Sequence, residues 1–546
     1  MQDISTDEKH EVDHADEKHQ HPNLEGGDLK RNLKSRHLSM IAIGGTIGTG
    51  LFLGSGGSIA KAGPGGALVA YGLIGIMVFF LMTSLGEMAA YMPVSGSFNT
   101  YASRFVDPAL GFALGWNYWL SWAITVAAEL AAAAVIMKFW LPDFPSWVWS
   151  LLLLTIMVGF NALSVKGYGE SEYWFALIKI LTVVVFIVVG VVFLCTRKGA
   201  DAELHGPSNF TYNEAPFVNG FVGVLEVFLI AGFSFQGTEI VGVTAGESSN
   251  PEKDVPRAVK QVFWRILLFY ICAITVIGLI IRYDDVRLSS SDVESISTSP
   301  FTLVFLMIGF KPATHMMNAI VLLTLLSAGN SGLYAATRTL WVLANEDKGP
   351  KFLKKVSSNG IPLWALGFTA LISCLSFTTS TFGEGVVYEW LLNASGITGF
   401  VGWFGIAVSH YRFRKAFLAQ GNQLSQLPYT AMFYPYGPLF ALVLIVIVII
   451  GQGYSGFTSD PIDWMQLLAS YLGLLIFIVL YIAFKLIKKT KLVPLLECDL
   501  SLIPPEFHSD EVDANACSIT IFAPRLKLTK LRLDHECLIR LANHEL

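Results

Sequence analysis

Charge is what this chain has least of. Only 14% of its 546 residues are charged, 53% are hydrophobic, and the mean hydropathy is +0.54. A soluble domain carries about 25% charged residues, so a chain of this balance has lipid for much of its solvent. The few charges gather at the N-terminus, in short loops and in the tail. Between them lie apolar stretches long enough to cross a hydrocarbon core of about 30 Å. Residues 1–40 lack an apolar h-region. No cleavable signal peptide is therefore expected, and the first spanning helix should serve as its own insertion signal.

Other absences remove whole classes. Six cysteines stand at no metal-ligand spacing, with Cys195, Cys272 and Cys374 in or beside apolar segments and Cys498, Cys517 and Cys537 in the tail. Structural zinc and a disulfide framework are not expected. No Gly-x-x-x-x-Gly-Lys-Ser/Thr loop offers ATP a site, so the chain alone should not perform primary active transport. Gly-x-Ser-x-Gly does not occur, which leaves a serine hydrolase without its nucleophile elbow.

What is there is a succession of spans. A window of about 19 residues gives candidates near 38–62, 66–92, 108–140, 147–166, 173–196, 218–246, 259–282, 312–343, 363–381, 385–410, 431–452 and 463–487. The run Pro300–Phe310 is either part of this set or a short helix on the outer surface. Basic residues fix an orientation. Lys30, Arg31, Lys34, Arg36, Lys253, Arg257, Lys260, Lys348, Lys351, Arg412, Arg414, Lys485 and Lys488 all fall on one side if the N-terminus is inside. That is the positive-inside pattern, and an even number of spans returns the C-terminus to the cytoplasm. Residues 1–29, with His10, His14, His19 and His21, read as a solvated arm rather than a metal tract. Residues 493–546 read as a cytoplasmic tail of no assigned role.

Two spans are interrupted by glycine. Span 1 contains Gly44-Gly45-Thr46-Ile47-Gly48-Thr49-Gly50, and span 6 contains Gly232-Phe233-Ser234-Phe235-Gln236-Gly237-Thr238-Glu239. Broken spans at corresponding positions of two halves mark an inverted-repeat transporter with its site at mid-membrane. The break exposes amides that suit a carboxylate and carbonyls that suit an ammonium group. The plainer alternative is a glycine face for helix packing.

Several segments, in order, resemble the amino-acid permeases of the amino acid–polyamine–organocation superfamily. They are Gly44 to Gly54, Gly86-Glu87-Met88-Ala89-Ala90-Tyr91-Met92-Pro93, Gly115-Trp116-Asn117-Tyr118-Trp119, and Phe233 to Glu239 followed by Ala245-Gly246-Glu247. The likeness covers roughly residues 28–492 and is closest to the bacterial lysine-specific permeases, on Phe263 to Tyr270, Ser327 to Gly332 and Ser409 to Arg414. It implies an all-α membrane domain over 30–492 with twelve transmembrane helices. These would form a five-plus-five inverted repeat with helices 1 and 6 broken: repeat one about 38–196, repeat two about 218–410, and peripheral helices about 431–487. It also implies that Thr46, Gly48, Thr49 and Gly50 hold the substrate carboxylate. The carbonyls of Phe233, Ser234 and Gln236 would hold the α-amino group, with Phe233 or Phe235 closing over it.

Ionisable residues inside spans need a partner, a proton or a substrate. Lys179 and Glu239 are the candidates for proton coupling, Lys179 because related permeases place a lysine there. Its plainer role is a fixed ion pair. Glu129 is a candidate substrate contact or a structural partner, and Tyr118, Ser327 and Asn330 are polar groups expected to line the cavity. The expected function is proton-coupled uptake of a cationic amino acid, lysine first, by alternating access across the cell membrane. Arginine or another amino acid, exchange without a proton, and a receptor without net flux remain open at this stage. Expected partners are the amino acid, a proton and the lipid bilayer; no cofactor, metal or nucleic acid is expected.

Overall fold

The chain after the first glycine run does not continue as one straight helix. The computed structural model describes residues 40, 47–94, 96–163, 165–196, 206–245, 248, 250–289, 299–309 and 312–501. The arm 1–29, the residues Gly44, Gly45 and Thr46, and the tail from 502 lie outside them. A short α1 (Thr49–Phe52) leads into α2 (Gly54–Tyr91), and α2 bends sharply at Gly63, whose φ and ψ are 73° and 169°. A side chain is strained at such a φ, and a Cβ here would also stand 2.6 Å from the Pro216 carbonyl oxygen. That oxygen accepts from Gly65 N at 3.0 Å and Gly66 N at 3.1 Å, while Ala62 O accepts from Val218 N at 3.0 Å. Backbone groups orphaned at the elbow thus find partners within the protein, as lipid surroundings require. The elbow divides the two spans expected at 38–62 and 66–92.

The following helices are α3 (Ser97–Phe105), α4 (Pro108–Lys138), α5 (Ser146–Leu163), α6 (Val165–Thr196), α7 (Gly220–Phe235) and α8 (Ile240–Thr244). Next, α9 (Pro251–Arg265) passes through a wide π turn, Ile266–Ile271, into α10 (Cys272–Ile280). The chain continues with α11 (Pro300–Met307), α12 (Ala313–Asn345), α13 (Leu363–Ser373), α14 (Glu384–Ala419), α15 (Tyr436–Gly451) and α16 (Trp464–Lys488). Local chemistry explains several starts. Asp107 caps α4 by accepting from Ala109 N at 2.9 Å, ahead of Pro108 at the first helical position. Asn250-Pro251 opens α9, with Glu252 and Asp254 in its first turn.

Ten helices among the described residues are long and apolar enough to cross a membrane, and α5 is shorter. Pro300–Met307 is a short helix, as one of the two sequence alternatives had it, and it is buried: Ser299 Oγ donates to Phe52 O at 2.6 Å. The most apolar window of α4 is 89% buried and that of α16 only 17%, which places α4 at the centre and α16 at the rim. Along the middle of α6 and α16 the exposed side chains are apolar, among them Leu181, Val188 and Val479, as a lipid-facing surface demands. α4 packs along α12 and α14, and α2 along α7.

The chain divides into two units, Met1–Cys498 and Asp499–Leu546. The described part of the second is residues 499–501, where Asp499 accepts from Ser501 N at 2.9 Å. The last stretch of the first unit is docked by its backbone. Val493 N donates to Val106 O at 2.9 Å, Arg412 reaches both Phe105 O and Val493 O, and Gln420 Nε2 donates to Leu495 O and Cys498 O.

Candidate substrate site

Four polar or aromatic residues of α4 fall at successive spacings of four, three and four: Tyr118, Trp122, Thr125 and Glu129. This is the repeat of one helix face, and the three from Trp122 to Glu129 line a cavity closed on its other sides by Gly48, Gly50, Phe233, Gln236 and Ala328. The walls therefore come from the two glycine breaks, from α4 and from α12. The cavity measures about 20 Å³, room for a single water.

At the first break, Gly48 precedes α1 in extended backbone, and Thr49 is buried with its hydroxyl donating to Glu129 Oε1 at 2.9 Å. A Cβ on Gly48 would stand 3.0 Å from that same oxygen. The second oxygen, Glu129 Oε2, is buried with no hydrogen-bond partner among the described residues. Gly50 meets α7 so closely that a Cβ would fall 2.4 Å from Ser234 Cα. Only glycine lets two backbones approach to this degree.

At the second break, α7 ends on Phe235 and the chain turns through Gln236 and Gly237 (φ 94°) before α8. Gln236 ties the turn down: its Nε2 donates to Ser121 Oγ at 2.7 Å and its Oε1 accepts from Ser395 Oγ at 3.1 Å. Glu239 ties it from the other side. Its two oxygens each accept from Gly237 N at 3.1 Å, one from Trp403 Nε1 at 3.2 Å and the other from Tyr118 OH at 3.4 Å. Ser234 O accepts from Tyr270 OH at 2.7 Å, and Ser234 Oγ lies 3.0 Å from Tyr71 OH.

Deeper among the helices, Lys179 of α6 lies 3.8 Å from Glu172, and both side chains are fully buried. Ser327 of α12 donates to both Glu172 oxygens at 2.8 Å. Asn330 Oδ1 accepts from Asn161 Nδ2 at 2.7 Å.

Residues 37–497 match the family model described as amino acid permease. The chain belongs to the amino acid permease family. It is 54% identical to the lysine-specific permease LysP of Escherichia coli over 86% of this chain and 96% of that protein. To LysP of Lactococcus lactis it is 51% identical, covering 87% and 93%. To the histidine permease HisP of Lactococcus lactis it is 48% identical, covering 87% and 98%. Its fold is similar to that in the crystal structure of the Eremococcus coleocola manganese transporter, with a TM-score of 0.51 at 14% identity. That match spans 83% of this chain and 94% of the other, and it speaks for the fold alone. The permease is thus a multi-pass membrane protein that transports amino acids, not an enzyme.

Within the permease, Gly48, Gly50, Glu129, Phe233 and Gln236 come together on the cavity wall. Thr49 is joined to them through Glu129. Tyr118 stands one helical turn along, edge-on to Trp122 at 6.1 Å. Of the two phenylalanines, Phe233 lines the cavity, while Phe235 packs at 4.3 Å against Tyr270 and at 6.0 Å against Tyr71. Ser327 and Asn330 bond to α6 and α5 side chains, and Ala328 between them contributes to the wall. Thr46 lies outside the described residues. Sequence reasoning passed over Trp122, Thr125 and Ala328. The face that starts at Tyr118 and ends at Glu129 is the signal that finds the first two.

Proposed function

We propose that the permease carries L-lysine into the cell together with a proton, by alternating access in a twelve-helix, five-plus-five inverted-repeat fold. It would sit in the cell membrane with both termini cytoplasmic. The lysine reading rests on the two relatives named lysine-specific at 54% and 51% identity. The proton reading rests on one observation: Glu129 abuts the glycine turn that is suited to a substrate carboxylate, and one of its oxygens has no partner among the described residues. Two carboxylates facing each other in a dry cavity cannot both stay ionised. An amino acid that settles its carboxylate on the Gly48–Gly50 amides therefore brings a proton with it, shared with Glu129.

The other roles follow from position. Phe233 closes over the bound amino acid, and the carbonyls at Phe233, Ser234 and Gln236 receive its α-amino group once Tyr270 and the Gln236 amide yield them. Glu239, already holding Gly237, Tyr118 and Trp403, keeps the second break in shape as spans 1 and 6 move. Lys179 supplies the charge that couples proton to substrate. Since the cavity holds about one water, α1 and α7 must part to admit lysine and close behind it. A membrane potential adds about 2.3 kcal/mol per 100 mV for each charge moved.

The test is uptake of radiolabelled lysine into proteoliposomes, with and without an inward proton gradient and competed by arginine and histidine. Gradient-stimulated uptake blocked best by lysine is the expected result. Uptake that requires amino acid on the far side would make the permease an exchanger. Binding without flux would make it a receptor.

A further inference from the structure

A second cleft stands apart from the substrate cavity, at the end of α7 that the proposed orientation turns outward. It measures about 460 Å³, against about 20 Å³ for that cavity, which is the scale of a small-molecule site. Asn219, Val222 and Glu226, at the start of α7, form one wall, and Tyr454, Thr458 and Ser459, beyond α15, form the other. The two helices touch beside it, since a Cβ on Gly451 would fall 2.5 Å from Leu225. Glu226 is half-buried and makes no hydrogen bond or ion pair among the described residues. No lysine, arginine or histidine lines the cleft. Lys61 touches its wall with a carbonyl oxygen, which accepts from Asn219 Nδ2 at 3.2 Å.

Such a lining favours a cation. The Glu226 carboxylate is a charged acceptor, and the Tyr454 phenol and Asn219 amide add neutral oxygens. One carboxylate among neutral oxygens is a poor cage for a divalent metal ion, but it suits the three N–H donors of an ammonium group. Position points to the source of that group. Glu226 stands seven residues before Phe233, a spacing of two turns and about 10 Å that sets both on one face of α7. Phe233 lines the substrate cavity, so a single helix face carries a carboxylate at the mouth and an aromatic ring at the site. We propose that this cleft is an outer loading site, where Glu226 receives an ammonium group of lysine before α1 and α7 part to admit it. This rests on the lysine reading given above. Glu226 gathers lysine at the mouth and takes no part in closing over it, so its effect belongs to KM and not to the maximal rate.

The test compares initial lysine uptake by wild type, E226D, E226Q and E226K in proteoliposomes of phosphatidylcholine and phosphatidylglycerol, with and without phosphatidylethanolamine. At low salt, E226Q should raise KM about threefold to fivefold and E226K further, with the maximal rate kept, while E226D stays within about twofold of wild type. At 1 M salt, where the Debye length is about 3 Å, the KM values should converge. n-Butylammonium should inhibit wild type more than equimolar choline, which has no N–H to donate, and that excess should vanish in E226Q. KM within about 1.5-fold of wild type in both E226Q and E226K at low salt overturns the inference. So does a fall in maximal rate with KM unmoved, the mark of a merely structural role, and so does butylammonium inhibition that is unchanged in E226Q. A difference between the variants, or transport itself, that appears only with phosphatidylethanolamine assigns the ammonium to a lipid headgroup and overturns it as well. Wild type that takes up no lysine in any vesicle overturns the lysine reading itself.

Discussion

Gly50→Ala adds one methyl group where α1 meets α7, and the structure sets the size of the effect. The new Cβ would stand 2.4 Å from Ser234 Cα, 2.5 Å from Ser234 Oγ and 2.8 Å from Ser234 Cβ. The hydroxyl can rotate away, but the Cα cannot. Carbon atoms rest at about 3.5–4.0 Å, so the two breaks must separate by about 1 Å. Overpacking of this kind costs about 1–3 kcal/mol of stability. A displacement of about 1 Å between groups that bind together costs on the order of 100-fold in rate. The control lies on the same stretch: a Cβ on Gly57 meets nothing within 4 Å. The assay is initial lysine uptake at sub-saturating concentration, normalised to reconstituted protein, with a thermal melt of each variant. G57A should behave as wild type and G50A should fall by one to two orders of magnitude while remaining folded. G50A within about threefold of G57A would refute the idea that this contact shapes the site.

Other outcomes follow from the same geometry. Glu129→Gln should abolish stimulation of uptake by a proton gradient while lysine counterflow persists, read in the same proteoliposomes. Arg414→Met leaves buried Glu87 without the guanidinium that grips both its oxygens, and should cost about 3–5 kcal/mol, seen as a lowered melt. Combining it with Glu87→Met should recover much of that loss in a double-mutant cycle. Burial pushes the Asp107 carboxyl up, but hydrogen bonds from Lys485, Thr490 and Ala109 N outweigh it and hold the group below its ordinary value. A group depressed on folding stabilises above its unfolded value of about 3.9, and that stability is lost as pH falls through the folded value. Wild type should therefore lose more of its melting temperature than Asp107→Asn when pH is lowered through about 4.

Much of this was legible because membrane helices write their faces plainly. The glycines at 48, 50 and 237 announced two breaks, and the periodicity from Tyr118 to Glu129 was present in the sequence although only its ends were used. Glu172 escaped notice because it lies seven residues before Lys179 on the same helix, near the polar start of its span, where a carboxylate reads as ordinary loop chemistry. The docking of Val493–Cys498 could not be read at all. It depends on backbone carbonyls and amides, which every residue possesses. Choosing Phe233 over Phe235 needed the helix rotation at the end of α7, which two identical side chains two residues apart do not disclose.

The wide turn between α9 and α10 bears on the second break from a distance. The hydrogen bonds of Ile266–Ile271 each close over one residue more than those of an α-helix, and Tyr270, which occupies the Ser234 carbonyl, sits within that surplus. Tightening the turn to ordinary pitch would rotate what lies beyond it by about 100° and draw the phenol away. An acceptor at the break would then become vacant through a change of winding in a neighbouring helix. Span 7 would in this sense work as a ratchet pawl, its slack deciding whether an acceptor on span 6 is taken by a tyrosine or offered to an ammonium group.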